Sequence, residues 1–223
     1  MVKLRARCLL VGDAAVGKSA LSHMFHSDGT LFQKNYSMTA GVELLMKCVH
    51  IPETSDSVEL YIIDSAGKPP LVDACEKMWG EPSLLCLVFD LTSETSFTSC
   101  SRWMERVASR CRGLRLPGTD LRLATRRRTA GLHFPSRHYC PVRRLSTLLL
   151  THRHQVTRLC VSYLLSGVLV GNKCDLSTRR EVQASAAQEW AQSHGLEYHE
   201  MSAVSRFLPS GRLWVLMFLH KES

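Results

Sequence analysis

An eight-residue stretch near the amino terminus, Gly12-Asp13-Ala14-Ala15-Val16-Gly17-Lys18-Ser19, limits the possible folds of this chain more than any other feature. It follows the apolar run of residues 8–11, and the apolar members of residues 20–25 recur at helical spacing. The stretch is therefore predicted to join a strand to a helix. The first N–H groups of a helix lack intrahelical acceptors and lie at the positive end of its dipole, so this junction suits an anion.

The residue types in the stretch favour a chain of phosphates as that anion. Gly12 and Gly17 let the backbone wrap around it, Lys18 supplies a charge for the β- and γ-phosphates, and Ser19 offers a hydroxyl to Mg²⁺. The alternative is a glycine-rich turn that only resembles a phosphate loop. Because a strand is predicted before the stretch and a helix after it, we interpret it as a phosphate loop.

Strand-like and helix-like patterns alternate along the rest of the chain. Strands are predicted at residues 3–11, 42–51, 58–63, 84–89, 168–170 and 196–200, and helices at 18–27, about 97–111 and along a face formed by Val182, Ala186 and Trp190. Residues 29–41 are polar and are predicted to form a mobile loop. This alternation predicts an α/β fold with a mostly parallel sheet, whose ligand lies beyond the carboxyl ends of the strands.

The formal net charge of +8 belongs to a single segment, residues 118–166, with nine arginines, no lysine and one acid, Asp120. The rest of the chain is neutral, so no nucleic-acid partner is expected. A basic patch for RNA or anionic lipid and a basic amphipathic helix are the functional alternatives for this segment, and we favour a disordered, solvated loop. Nine cysteines without Cys-x-x-Cys pairs indicate reduced thiols, and the lack of a signal peptide or membrane span indicates a cytoplasmic protein.

Further motifs, taken with the phosphate loop, resemble those of Ras-superfamily small GTPases. Thr39 is similar to the threonine that closes on Mg²⁺ and the γ-phosphate in that family. Asp64-Ser65-Ala66-Gly67 resembles its Asp-x-x-Gly motif, in which the Asp holds magnesium through water and the Gly N–H contacts the γ-phosphate. Taken singly, Thr39 has the alternative of a strand cap, and Asp64 that of a turn residue.

The guanine-recognition motifs of the family also have counterparts here. Asn172-Lys173-Cys174-Asp175 resembles Asn-Lys-x-Asp, where the carboxylate accepts hydrogen bonds from guanine N1–H and N2–H₂ that adenine does not offer. Ser202-Ala203 resembles the Ser-Ala motif beside guanine O6, and Phe32 and Tyr36 fall where family members cover the base and phosphates. The resemblance thus implies GTP or GDP with Mg²⁺ as cofactors, bound by Gly12, Asp13, Ala14, Ala15, Val16, Gly17, Lys18, Ser19, Ala20, Phe32, Tyr36, Thr39, Asp64, Gly67, Asn172, Lys173, Asp175, Ser202 and Ala203, with Ser19, Thr39 and Asp64 (via water) as metal ligands.

The resemblance also implies a fold and a domain organisation. The fold is the three-layer sandwich of P-loop NTPases, with a mostly parallel six-stranded sheet and one antiparallel edge strand. Residues 1–117 and 167–203 are predicted to form the GTPase domain, interrupted by the arginine-rich insert at 118–166. Residues 204–223 are apolar and broken by Pro209-Ser210-Gly211, so the final family helix is altered. We expect the altered tail to destabilise the fold more than the insert does. The core loses the large apolar side chains that the final helix supplies in the family, whereas the insert only lengthens a connection.

Within the superfamily, the chain is most similar to the Rab-like GTPases of intraflagellar transport. The residues that carry this likeness are Phe32-Gln33-Lys34, Asp64 to Lys68, and the segments 84–90 and 167–173. The likeness implies a ciliary protein that assembles with intraflagellar transport subunits, including a small β-sandwich partner. No cysteine stands at the carboxyl terminus for prenylation, so no lipid anchor is expected.

Two departures from the family pattern concern hydrolysis. Most members follow Asp-x-x-Gly with Gln, which orients the attacking water, whereas this chain has Lys68, whose ammonium has no acceptor. Ala14 stands where a side chain can crowd the transition state. We therefore name no catalytic residue and expect slow GTP hydrolysis. The alternatives to a switch are an interaction subunit that keeps a structural nucleotide without cycling, and an unstable, non-functional splice product.

Overall fold

The computed structural model describes residues 3–30, 32, 35–51, 54–111 and 166–204. The helices and strands in this part of the chain are β1 (Lys3–Val11), α1 (Lys18–His26), β2 (Val42–His50), β3 (Ser57–Ser65), α2 (Pro69–Cys75), β4 (Leu84–Asp90), α3 (Glu94–Thr98), α4 (Cys100–Arg110), β5 (Ser166–Asn172), α5 (Ala184–Ser193) and β6 (Glu197–Glu200). Short 3-10 turns lie at Glu76–Met78 and Ser177–Arg179.

The six strands form one sheet in the order β2-β3-β1-β4-β5-β6. The edge strand β2 is antiparallel to β3, and the other neighbouring pairs are parallel. The prediction of a mostly parallel sheet with one antiparallel edge strand is confirmed. The strand order reverses at β1, which lies between β3 and β4, and a loop that follows such a strand borders the crevice where α/β proteins bind ligands.

The sheet is covered on both faces, as the predicted three-layer arrangement requires. Successive side chains of a strand point to opposite faces, so Leu9 and Val11 belong to one apolar core and Cys8 and Leu10 to the other. Helix α1 packs on the second core through Leu21, Met24 and Phe25. Helices α2, α4 and α5 contribute to the first core, with Val72, Trp103, Met104, Val107, Ala187 and Ala191 as their buried residues.

The helices differ from the sequence predictions in detail. The helix predicted over residues 97–111 is two helices, α3 and α4, separated at Ser99, whose backbone stays helical at φ −66° and ψ −17°. Helix α5 begins after Val182 and leaves Ala186 exposed, because Ala187 and Ala191 face the core instead. Helix α2 was not predicted, since two prolines open it and its short sequence shows no clear helical period.

The altered final helix lies outside the described residues, as do the apolar tail beyond Val204 and the insert up to residue 165. Their predicted boundaries stay predictions. Within the part of the chain that the structure describes, no helix has the length and apolar character needed to cross a membrane.

Candidate nucleotide-binding site

The predicted phosphate loop joins β1 to α1 and depends on two glycines. Gly12 and Gly17 have φ angles of +145° and +97°, in a region that other residues rarely adopt. A Cβ at Gly12 would lie 2.0 Å from the carbonyl oxygen of Val88, and one at Gly17 would lie 2.2 Å from Nδ2 of Asn172. The loop therefore packs closely against the ends of β4 and β5.

The side chain of Lys18 folds back over the start of this loop. Its Nζ donates to the carbonyl oxygens of Gly12 and Asp13, at 2.9 Å each. Only 6% of the residue is exposed. Burial lowers the pKa of the ammonium to about 8, against the opposing effect of the Asp64 and Asp13 carboxylates. A buried ammonium at this position favours the binding of an anion, since a further negative charge would offset the cost of removing the ammonium from water.

Three predicted metal ligands from separate segments meet beside Lys18. The Oγ atom of Ser19 lies 2.8 Å from Oγ1 of Thr39, and it donates to Oδ2 of Asp64 at 2.5 Å. Asp64 is fully buried, and burial raises the pKa of its carboxyl group to about 6. Its Oδ1 atom accepts no hydrogen bond from the described residues. Two hydroxyls and a carboxylate with an unsatisfied oxygen are the oxygen donors that suit a hard cation such as Mg²⁺.

A cavity of about 190 Å³ opens next to these groups. Its walls come from the phosphate loop, the segment before β2 and the residues after β3: Ala14, Ala15, Gly17, Lys18, Ser19, Ala20, Phe32, Asn35, Tyr36, Ser37, Met38, Thr39, Gly67 and Lys68. Tyr36 is 68% exposed and Phe32 is 37% exposed, so both rings lie at the surface of the protein. The structure thus brings Lys18, Ser19, Thr39 and Gly67 around one cavity, with Asp64 hydrogen-bonded to Ser19 behind its wall.

The predicted base-recognition residues lie at the ends of β5 and β6. The backbone N–H of Cys174 donates to the carbonyl oxygen of Met201 at 3.1 Å, which holds the turn after β5 against the segment after β6. Ser202 and Ala203 are buried in that segment, whereas Asp175 is exposed. Lys173 has a φ of +65°, and its Nζ donates to Oδ2 of Asp90 at 2.5 Å.

Asn172 connects the base-recognition end to the phosphate loop. Its Nδ2 donates to the carbonyl oxygen of Val16 at 2.8 Å, inside the loop. Its Oδ1 is buried and has no hydrogen-bond partner among the described residues. This hydrogen bond therefore joins the two groups of predicted residues, which are more than a hundred positions apart in the sequence, at the carboxyl edge of the sheet.

The structure adds residues that sequence reasoning missed. Nε1 of Trp103 donates to Oδ1 of Asp13 at 2.8 Å, and His23 pairs with Glu43 at 2.9 Å beside the predicted metal ligands. Asp90, the partner of Lys173, follows the apolar residues of β4 much as Asp64 follows those of β3, and that shared pattern could have identified it. No sequence pattern identifies Trp103 as a site residue, because a tryptophan on the apolar face of a helix is ordinarily interpreted as part of the hydrophobic core.

The fold and this edge define a nucleotide-binding protein of the phosphate-loop class. The sequence model of the Ras family matches residues 7–126 and 148–208, and the chain belongs to that family. Ras-family proteins are GTPases that bind guanine nucleotide, and this chain is a member of that class.

Curated relatives make the similarity more specific. The chain is 42% identical to "Intraflagellar transport protein 27 homolog" of Bos taurus over 202 residues, which cover 91% of this chain and 82% of the relative. It is 32% identical to "Intraflagellar transport protein 27" of Chlamydomonas reinhardtii, with 90% and 76% of the two chains covered. It is 26% identical to "Ras-related protein Rab-13" of Bos taurus, with 89% and 71% covered.

Proposed function

We propose that this chain is a guanine-nucleotide switch that binds GTP or GDP with Mg²⁺ and hydrolyses GTP slowly. The observation that carries the proposal is the meeting of Ser19, Thr39 and Asp64 beside the buried ammonium of Lys18. A triphosphate needs a cation, a metal ion and backbone N–H donors at the same place, and the end of β1 offers the cation, oxygen ligands for the metal ion and the N–H groups.

At the phosphate end, the loop from Gly12 to Ala20 would surround the phosphates with its N–H groups. Ser19 and Thr39 would hold Mg²⁺ directly, and Asp64 would hold it through water. The bound ion would neutralise charge on the β- and γ-phosphates. Gly67 lies against the loop, since a Cβ there would be 2.5 Å from the backbone nitrogen of Ala14. Its N–H would contact the γ-phosphate that distinguishes GTP from GDP.

At the base end, Asp175 would accept hydrogen bonds from guanine N1–H and N2–H₂. Asp175 is exposed and thus accessible to a ligand. The turn that precedes it is held by a hydrogen bond from Asn172 to Val16 and by another from Lys173 to Asp90. The N–H groups of Ser202 and Ala203 would face guanine O6. Adenine presents the opposite pattern of donors and acceptors, so this end favours GTP over ATP.

Slow hydrolysis is the part of the proposal that depends on Lys68. This exposed residue lines the cavity at the position where most family members have Gln. The lysine ammonium donates hydrogen bonds but does not accept them, so it does not orient a water for attack as an amide does. Ala14 lines the same cavity and adds a methyl group near the predicted phosphates.

We further propose that the protein acts as a Rab-like subunit of intraflagellar transport, in the cytoplasm and the cilium. The names of the relatives that share 42% and 32% of aligned residues with it support this role. A small β-sandwich protein is the expected partner within the transport complex.

Nucleotide extracted from the purified protein tests the proposal. Chromatography after denaturation should release GDP or GTP in a molar amount close to that of the protein, and little adenine nucleotide. Partner affinity, measured by titration in the GDP and GTP states, then separates a switch from a subunit with a structural nucleotide, because a switch must bind one state better. Protein that prefers ATP would overturn the assignment of the site.

A further inference from the structure

We infer that Trp103 is a positioning residue for the phosphate loop, acting through Asp13. The indole Nε1–H donates to Oδ1 of Asp13 at 2.8 Å, from a helix that contributes no other predicted site residue. This inference rests on the proposed function, because it concerns how firmly the loop holds a nucleotide. Asp13 was predicted to bind nucleotide, and the structure assigns its side chain a different task.

Asp13 is held from three directions. Its carboxylate accepts from Trp103, and its carbonyl oxygen accepts from Lys18 Nζ at 2.9 Å. The peptide that follows it lies against Gly67, where a Cβ would be 2.5 Å from both the carbonyl carbon of Asp13 and the nitrogen of Ala14. The orientation of this peptide therefore affects the Lys18 ammonium, the loop N–H groups and the proposed γ-phosphate contact of Gly67 together.

Trp103 is a firm anchor because it belongs to the core. It is 6% exposed and packs in the same apolar cluster as Val72, Met104 and Val107. Its ring also borders a cavity of about 130 Å³ that Gly67, Pro69 and Val72 line. A hydrogen bond from a ring fixed in this way restrains Asp13 more than a bond from an exposed, flexible side chain would.

The bond is charge-assisted, since the acceptor is a carboxylate, and such bonds contribute more than neutral ones. Without it, the peptide between Asp13 and Ala14 loses its restraint on one side. The loop N–H groups then spend less time in the arrangement that binds phosphate. We expect nucleotide to dissociate faster as a result, with little change in which base is bound.

The experiment measures release of a fluorescent GDP analogue, chased with excess GDP, from the 223-residue chain and its variants. Trp103→Phe keeps an aromatic side chain, although a smaller one, and removes the donor, and we expect release about tenfold faster. Trp190→Phe is the matched control, because this half-buried indole of α5 stacks on His194, just beyond the helix, and packs edge-on against Phe97. Its release rate should equal that of the wild type.

Substitutions at Asp13 separate positioning from general weakening of α4. Asp13→Asn keeps an oxygen acceptor but loses its charge, so it should release GDP more slowly than Asp13→Ala, which should release it faster than the wild type. Trp103→Phe should add nothing in the Asp13→Ala background, since the bond is already lost. The Asp13 variants leave the core intact, so they carry the test even if Trp103→Phe fails to fold.

Each result has a distinct meaning. If Trp103→Phe and Trp190→Phe release GDP at the same rate, or if Trp103→Phe accelerates release equally in the Asp13→Ala background, Trp103 is not a positioning residue. If Asp13→Ala and Asp13→Asn behave alike, the hydrogen bond does not restrain the loop. If the wild-type chain binds no guanine nucleotide, the proposed function fails instead.

Discussion

Asn172, at the end of β5, donates its side-chain amide to the carbonyl oxygen of Val16, which lies 156 residues earlier in the phosphate loop. The approach is so close that Gly17 has no room for a Cβ, which would lie 2.2 Å from the same amide nitrogen. This contact fixes the distance between the predicted phosphate-binding and base-binding ends. The proposed mononucleotide would have to span both ends, so this contact would limit the size of the ligand that fits.

Asp175→Asn should abolish the preference for guanine. The substitution replaces a charged acceptor of two hydrogen bonds with an amide that accepts only one, and charge-assisted bonds contribute about 1.5–3 kcal/mol each. We therefore expect GDP to bind at least about tenfold more weakly, measured by calorimetric titration. Xanthosine diphosphate should bind this variant better than GDP does, because its C2 carbonyl accepts from the new amide.

The control for this substitution is Glu189→Gln, which removes an acid from the exposed surface of α5. GDP affinity should be unchanged in that variant. Equal GDP affinity in Asp175→Asn and the wild type would contradict the assigned role of Asp175.

Thr39→Ala should weaken the binding of GTP more than that of GDP. The Thr39 hydroxyl lies 2.8 Å from Ser19 Oγ, in the segment before β2 that lines the cavity, and the γ-phosphate is the group it is expected to reach. We expect about a tenfold loss for a non-hydrolysable GTP analogue and little change for GDP, in titrations with Mg²⁺ present. Thr30→Ala, in the turn after α1, serves as the control and should bind both nucleotides as the wild type does. An equal loss of affinity for GDP and the GTP analogue in Thr39→Ala would contradict a contact between Thr39 and the γ-phosphate.

Most of the candidate site at the carboxyl edge of the sheet could be predicted, because short stretches of sequence determine the local structure there. The strand before Gly12 and the helix after Lys18 follow from apolar periodicity, and the glycines follow from the backbone angles that the turn requires. The positions of Asp64 and Asn172 near the ends of β3 and β5 follow from the apolar residues that precede them, and parallel strands bring such ends to the same edge. The motif residues therefore come together once the sheet forms.

Contacts made by tertiary packing were not predictable in the same way. The bond between Trp103 and Asp13 joins residues 90 positions apart through helix packing that no local pattern encodes. The prediction that Ala186 lies on the buried face of α5 was wrong. Alanines at positions 184, 186, 187 and 191 are compatible with several choices of buried face. Tertiary contacts decide which face is buried, and local sequence periodicity does not show which contacts form.

The stability of the base-binding end should decrease in acid. Hydrogen bonds from Arg180 hold the pKa of Glu200 below its usual value, and Tyr198 also donates to this carboxylate. A carboxyl group with a depressed folded-state pKa stabilises the fold above its unfolded pKa, and this contribution is lost as the pH falls through the folded-state value. We therefore expect the melting temperature of the wild type to fall as the pH is lowered below about 5.

Glu200→Gln should show a smaller fall over the same range, because its amide does not titrate. At pH 7 this variant should be less stable than the wild type by about 1–3 kcal/mol, measured by urea unfolding. Parallel pH profiles for the two proteins would show that the Arg180 contact does not stabilise the carboxylate.

Lys68→Gln should accelerate hydrolysis of bound GTP. An amide oxygen accepts a hydrogen bond from the attacking water and its N–H₂ donates one, whereas the lysine ammonium only donates, so the substitution supplies the missing acceptor beside the cavity. We expect the single-turnover rate to rise by at least about tenfold, with GTP affinity nearly unchanged. Lys77→Gln makes the same exchange on the exposed 3-10 turn and should leave the rate as it is. A wild-type rate equal to that of ordinary Rab proteins, or no gain in Lys68→Gln, would show that the ammonium is not what limits hydrolysis.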